Sequence, residues 1–309
     1  MPTPIPYDPT SQALYRPEAQ PPLVMDSGWS TDAIAAEFSR LAYRRFEQGE
    51  DEKRQIAEAI ETAGYRRAGW FQEAAGAALF SAKGFAALND EGQAIIAFRG
   101  TQADSFRDLV TDASFILENW DRPGRVHSGF SASLSSILAP IESWLHDTNP
   151  SRLLLTGHSL GAALATILAA RLADGDRPIE LVTFGSPRVG DEALAASLGS
   201  LAVRRYVNCT DAVASLPPPL IYSHVRGLHY IDRNGTIHVG DEPAIAMAKD
   251  QRAAHRAYAQ LMWRSGNVLW RALADHAPIN YVSALLGARD QAAGLDLAQS
   301  PDDGAVTCR

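Results

Sequence analysis

At 309 residues, 46% of them hydrophobic, the chain can bury a sizeable core as one large α/β domain or two smaller ones. Its formal net charge of -8 arises from 28 basic and 36 acidic side chains with no long basic run, which argues against a nucleic-acid partner. Cys209 and Cys308 make no disulfide framework and lack metal-site spacing, and no apolar run is long enough to cross a bilayer. The first residues, M-P-T-P-I-P-Y-D-P-T, show neither a cationic start nor an apolar h-region, so the expected location is cytoplasmic or leaderless-secreted.

Residues 1–28 are rich in proline and poor in periodicity, and read as an extended arm. Ser30 or Thr31 caps a helix with an apolar face of Ile34, Phe38, Leu41, Ala42 and Phe46. A second helix over Glu52–Ala63 stops at Gly64. Strand-like runs Ala77–Leu88 and Ala94–Phe98 flank Asn89-Asp90-Glu91-Gly92, predicting a hairpin. After Phe98-Arg99-Gly100-Thr101, Ser105–Asp108 fits a capping box, and Phe106, Leu109, Val110 and Ala113 form one face of a helix about two turns long. A helix so short is marginal alone and must dock on something apolar.

His127–His146 reads as a longer helix. Leu153–Asp174 follows, with a short apolar strand, G-H-S-L-G around Ser159, and then Leu160, Leu164, Ile167, Leu168 and Leu172 at helical spacing. A strand that becomes a helix within two residues needs a sharp turn, and Gly157 and Gly161 let the two approach. Ser159 at the apex is read as a nucleophile, and Leu160 at the helix start as an N–H donor to an oxyanion. His158, its neighbour, points elsewhere and reads as a packing residue. Strands Ile179–Phe184 and Val203–Val207, separated by a helix at Ala195–Leu198, continue the alternation. The fold class expected is α/β, a central, mostly parallel sheet with helices on both faces. Asn234-Gly235 marks a hairpin. Pro243–Gly287 reads as helical, with Tyr258, Leu261, Met262, Leu269 and Leu273 on one side and Trp263 and Trp270 on another; residues 288–309 form a polar tail.

A serine hydroxyl needs an imidazole to take its proton and a carboxylate to orient that imidazole. Asp211 lies just beyond a strand end, where an acid partner belongs, although the position also suits a plain turn residue. Asp174 and Asp176 end a helix on the far side of the sheet, and Asp191 suits a helix cap. Among the later histidines, His224 and His276 both lie in loops, and spacing does not choose between them.

Several of these segments resemble the class 3 lipase family, α/β-hydrolases typified by fungal triacylglycerol lipases. They are A-F-R-G-T at Ala97–Thr101, Ser105–Phe115, V-H-S-G-F at Val126–Phe130, T-G-H-S-L-G-A-A-L-A at Thr156–Ala165, T-F-G-S-P-R-V-G-D at Thr183–Asp191, and Asn208–Pro218. The order is kept from about Gly84 to Leu286. The fungal enzymes carry signal peptides and disulfides; this chain is closer to bacterial-looking members. The resemblance implies the α/β-hydrolase fold with a short helical lid at about 102–117, in a single domain over 29–287. It implies that Tyr222-Ser223-His224 is not catalytic and that His276, in Asp275-His276-Ala277-Pro278-Ile279-Asn280-Tyr281, is, with His224 as reserve. It implies that Thr101 supplies the second oxyanion donor, and that Phe106, Leu109 and Val110 belong to the lid and face substrate. The expected activity is hydrolysis of a lipid or other carboxylic ester, most readily an acylglycerol at a lipid–water interface, without metal or cofactor. Phospholipase A1, feruloyl-type esterase, acyltransferase and a catalytically silent binding scaffold remain alternatives.

Overall fold

The computed structural model describes residues 4–73, 81–100, 116–240 and 244–287. Its regular elements in chain order begin with α1 (Ser11–Tyr15), α2 (Thr31–Leu41), α3 (Glu50–Thr62), β1 (Tyr65–Gln72), β2 (Lys83–Asn89) and β3 (Gln93–Phe98). They continue with β4 (Leu117–Asn119), β5 (Arg125–His127), α4 (Ser128–Thr148), β6 (Arg152–His158), α5 (Leu160–Leu172), β7 (Ile179–Phe184) and α6 (Glu192–Ser197). The last are β8 (Ala202–Asn208), β9 (Leu228–Ile231), β10 (Ile237–Val239), α7 (Ala244–Tyr258), α8 (Arg271–Ala274) and α9 (Pro278–Leu285).

Eight strands form one sheet in the order β1-β2-β3-β6-β7-β8-β9-β10. The inner strands β3, β6, β7, β8 and β9 run parallel, and the outer pairings are antiparallel. Because side chains alternate across a strand, the apolar run of β6 serves two cores. Leu154 packs with Phe38, Val182 and Tyr281 on the face covered by α2 and α9. Leu153 and Leu155 pack with Ile137, Ile141, Leu164 and Leu168 on the face covered by α4 and α5. Every residue of α5 from Leu160 to Ala170 is buried, as expected for a helix apolar all round. The mostly parallel sheet with helices on both faces is the architecture expected from the strand–helix alternation.

Ser30 is the residue that caps α2, its hydroxyl accepting from Ala33 N at 3.2 Å. The hairpin at Asn89–Gly92 joins β2 to β3, and the one at Asn234-Gly235 joins β9 to β10. Other expectations need correction. β1 was not expected as a strand, because Arg66, Arg67 and Gly69 interrupt its alternation. The structure accommodates them with a register shift between Arg66 and Gly69 and a positive φ of 47° at Arg67. β2 begins at Lys83, within the apolar run read from Ala77; residues 74–80 lie outside the described residues. The three-residue ribbon β4–β5 is too short to leave a periodic signal.

The expected helical run over Pro243–Gly287 is broken in two places. α7 ends at Tyr258, and a series of turns follows in which Gly266 takes φ 88° and Asn267 Nδ2 donates to Leu261 O at 2.9 Å. A left-handed glycine and an amide side chain that satisfies a carbonyl both keep this stretch, beyond the end of α7, from continuing as helix. Trp263 and Trp270 therefore lie outside any helix rather than on a shared face, 78% and 65% exposed. Among the described residues no helix is long and apolar enough to cross a membrane.

Thermal melts should separate the two environments. Trp263→Ala with Trp270→Ala is expected to change stability by less than about 1 kcal/mol, exposed sites being tolerant. Phe85→Ala, a fully buried ring stacked on Phe38 at 5.5 Å between centroids, is expected to cost about 3–5 kcal/mol. A large loss from the tryptophan pair would contradict this placement.

Candidate active site

Between the end of β6 and the start of α5 stands one residue, Ser159, with φ 57° and ψ -126°. Strain of this kind in a non-glycine residue persists only where the surroundings impose it. Here a Cβ on Gly161 would collide with the carbonyl of Phe98 at the end of β3, so that glycine is required for the helix to start there. Ser159 N donates to Phe184 O at 3.0 Å, which places the serine at the carboxyl ends of β6 and β7. Its Oγ is buried and bonded to nothing among the described residues. Leu160 opens α5, so its N–H is one of those that no intrahelical carbonyl reaches. Thr101, Phe106, Leu109 and Val110 lie outside the described residues, as do residues 102–115 of the expected lid. The residue before Thr101 abuts the elbow: a Cβ on Gly100 would lie 2.7 Å from His158 O.

The carboxylate of Asp211, in the turn after β8, meets the imidazole of His276, which sits just before α9. His276 Nδ1 lies 2.9 and 2.8 Å from the two carboxylate oxygens. Asp211 also accepts from Val213 N at 2.8 Å and from Tyr281 OH at 2.5 Å. Burial alone would raise the Asp211 carboxyl, but the charge of His276 and the hydrogen bonds from His276 and Tyr281 outweigh it and hold it below its usual value. Gly185, directly after β7 with φ 56°, makes room for this pair. A Cβ there would stand 2.6 Å from Asp211 Oδ2 and 3.0 Å from His276 Nδ1.

His224, the reserve base, goes elsewhere. Its Nε2 donates to Ala214 O at 2.8 Å, and burial, with Arg205 and Arg188 nearby, pushes it down to about 2. Asp191 caps α6, accepting from Leu194 N, while Asp174 is exposed and pairs with Arg122. Thus the chain's ends of β6, β7 and β8 bring Ser159, Gly185, Asp211 and His276 to one sheet edge, and leave His224 out.

His158 has a larger part than packing. Its Nε2 donates to His276 O at 2.7 Å, which leaves Nδ1 to accept from Tyr43 OH at 2.7 Å, and its ring centroid lies 4.4 Å from that of His276. Burial, then the charge of His276, drives it well below the ordinary histidine value, so it stays neutral. Tyr43 and Tyr281 were not read as site residues. Tyr281 could have been found as the tyrosine that closes the matched Asp275–Tyr281 loop; Tyr43, beyond the end of α2, carries no local signal.

The first expected outcome is that Gly185→Ala pushes Asp211 and His276 apart and slows labelling of Ser159 by a fluorophosphonate about 100-fold or more, since misplacing a reacting group by about 1 Å is enough; labelling rates of a folded variant check it. The second concerns pH. His127, held down to about 4 by burial, and His158 are neutral when folded, while unfolded histidine titrates near 6.5. Depressed folded values mean that stability is fully present above pH 6.5 and is lost as pH falls from there toward 4. Urea unfolding at pH 5 is expected to give lower stability than at pH 7, by about 2 kcal/mol from His127 alone, with His158 acting in the same direction. Equal stability at the two pH values would contradict the neutral assignment.

Comparison with known proteins adds a family to this geometry. Residues 95–221 match the model of the family described as Lipase (class 3). Secreted mono- and diacylglycerol lipase 1 of Fusarium solani is 31% identical over 153 residues, 47% of this chain and 45% of that protein. Secreted mono- and diacylglycerol lipase A of Penicillium camembertii is 33% identical over 173 residues, 51% and 55% of the two chains. The chain thus spans about half the length of the curated relatives it matches. Among solved structures, the native Rhizomucor miehei lipase–propeptide complex superposes with a TM-score of 0.53 and 22% identity over 75% of this chain and 83% of that one. The mono- and diacylglycerol lipase from Aspergillus oryzae gives 0.51 and 24% over 60% and 74%. These likenesses show the α/β-hydrolase fold, and the sequence match over residues 95–221 makes that part of the chain similar to the class 3 lipase family.

Proposed function

We propose that this chain is a serine hydrolase of carboxylic esters that acts on acylglycerols. The observation that carries the reading is the fully buried Asp211–His276 pair beside the strained Ser159 elbow. A buried aspartate bonded to Nδ1 leaves Nε2 as the nitrogen that exchanges protons with a serine.

Ser159 Oγ attacks the ester carbonyl carbon while His276 Nε2 takes its proton. Asp211 holds the ring in the correct tautomer and stabilises the imidazolium that forms. The N–H groups of Leu160 and Thr101 receive the oxyanion. His276 then returns the proton to the leaving alcohol, giving an acyl-enzyme on Ser159. Water, deprotonated by His276, releases the acid by the same steps in reverse order. In this reading residues 29–287 are one hydrolase domain, with an arm at 1–28 and a tail at 288–309. The segment Ser105–Ala113 is the lid, presenting Phe106, Leu109 and Val110 to the substrate. The relatives named mono- and diacylglycerol lipases support acylglycerol as the substrate class over a phospholipid or feruloyl ester.

Ser159→Ala is expected to lower turnover of a p-nitrophenyl ester by about 1,000-fold or more and to abolish fluorophosphonate labelling. His276→Ala should cause a comparable loss and His224→Ala little. Wild-type turnover by the Ser159 variant would end the hydrolase reading. A panel of mono-, di- and triacylglycerols, a phospholipid and a feruloyl ester tests the substrate class, with the acylglycerols expected to be cleaved fastest.

A further inference from the structure

The segment that carries His276 is held from outside the sheet by the beginning of the chain. Asp275, directly before His276, is fully buried. Its Oδ2 accepts from Arg271 Nε at 3.1 Å, Thr210 N at 3.0 Å and Thr210 Oγ1 at 2.8 Å. Its Oδ1 accepts from Tyr7 OH at 2.9 Å, and the Arg271 guanidinium lies 5.8 Å from the centre of the Tyr7 ring. A buried carboxylate is tolerable only when it is paired and its oxygens are filled. One of those donors comes from a residue 268 positions away along the chain.

The neighbouring residues of the arm continue the contact on both sides of His276. Asp8 N donates to Asn280 Oδ1 at 2.7 Å, and Asn280 Nδ2 donates to Asp8 O and to Ala274 O, both at 2.8 Å. Ser283 Oγ donates to Ile5 O at 2.6 Å. On the other side, Val268 N donates to Pro9 O at 3.0 Å and Ser11 N to Gly266 O at 2.7 Å. The arm therefore spans from Gly266 to Ser283, and His276 lies between its attachment points. His276 also receives the His158 Nε2–H on its carbonyl, so both the ring and the backbone of this residue are fixed.

We propose that the arm Ile5–Ser11 is a positioning strap for His276, with Tyr7 as its key contact. The strap touches no substrate; it fixes the Asp275–Arg271 pair and the start of α9, and through them the imidazole on Asp211. This rests on His276 being the general base.

The test is Tyr7→Phe in the full chain, assayed on a soluble p-nitrophenyl ester and repeated in the His276→Ala background. Tyr7→Phe alone is expected to lower kcat about tenfold with KM within about twofold of wild type, since the lost precision bears on chemistry rather than binding. In the His276→Ala background the same change should cause no further loss, because a strap acts only through the residue it positions. Unchanged kcat overturns the proposal. So does an equal loss in both backgrounds, or a loss matched by a drop in the folded fraction in the thermal melt, either of which marks the arm as structural only. If His276→Ala alone turns over at the wild-type rate, His276 is not the general base and the strap proposal fails with that assignment, an outcome visible without any change at Tyr7, whereas the hydrolase reading itself stands or falls with Ser159→Ala.

Discussion

The carbonyl of Phe98 presses so closely on Gly161 that a methyl group there would overlap it. That contact ties β3, β6 and the first turn of α5 into one rigid corner, and the remaining site is arranged around it. Because β6 must turn into α5 without a loop, Ser159 is forced to a positive φ and its hydroxyl is lifted to the sheet edge. The same corner aims the free N–H groups of the α5 start at the space beside the serine. β3 is in turn anchored one residue beyond its end. Arg99, 3% exposed, donates to Ala42 O at 2.6 Å and makes two bonds of 2.9 Å to Glu47. Burial would raise the Glu47 carboxyl, but the bonds from Arg99 and Lys83 outweigh it and bring it down to about 2.

Around this corner lies a set of buried polar groups that bond to one another. Asp211 is shared by His276, Tyr281 and Val213, while His158 joins Tyr43 to the His276 backbone. In a low-dielectric interior such groups are costly unless each is satisfied, and when satisfied they select one geometry. The network thus does two things at once: it keeps Asp211 charged, and it keeps neutral His158 from competing for a proton. The Tyr7–Asp275–Arg271 group extends the same logic outward by one residue from His276.

How much of this was legible before folding depended on how local the signal was. The double role of Leu153, Leu154 and Leu155 follows from period-two alternation, and the α5 face from period 3.6. β1 escaped because Arg66, Arg67 and Gly69 spoil the alternation, and the bulge that rescues the strand is visible only in its pairing with β2. The helix expected through Trp263 and Trp270 failed for a complementary reason: the apolar spacing was present, but α7 stops at Tyr258 and the chain beyond it is held in turns, with Gly266 left-handed and Asn267 bonded to Leu261 O.

By itself the amino-acid sequence determined the elbow, the alternating parallel sheet and the order of serine before acid before histidine. These are carried by residues a few positions apart, whose periodicity and turn chemistry need no distant partner. The resemblance singled out His276 over His224, but only the tertiary structure decided that His276 bonds to Asp211, that His158 bridges Tyr43 to the His276 carbonyl, and that the arm closes on Asp275. Those contacts join residues 65, 115, 118 and 268 positions apart. Apart from that resemblance, spacing alone does not tell which of two loop histidines the sheet brings to a buried carboxylate; that follows from strand order, and from the removal of water that makes each such pairing obligatory.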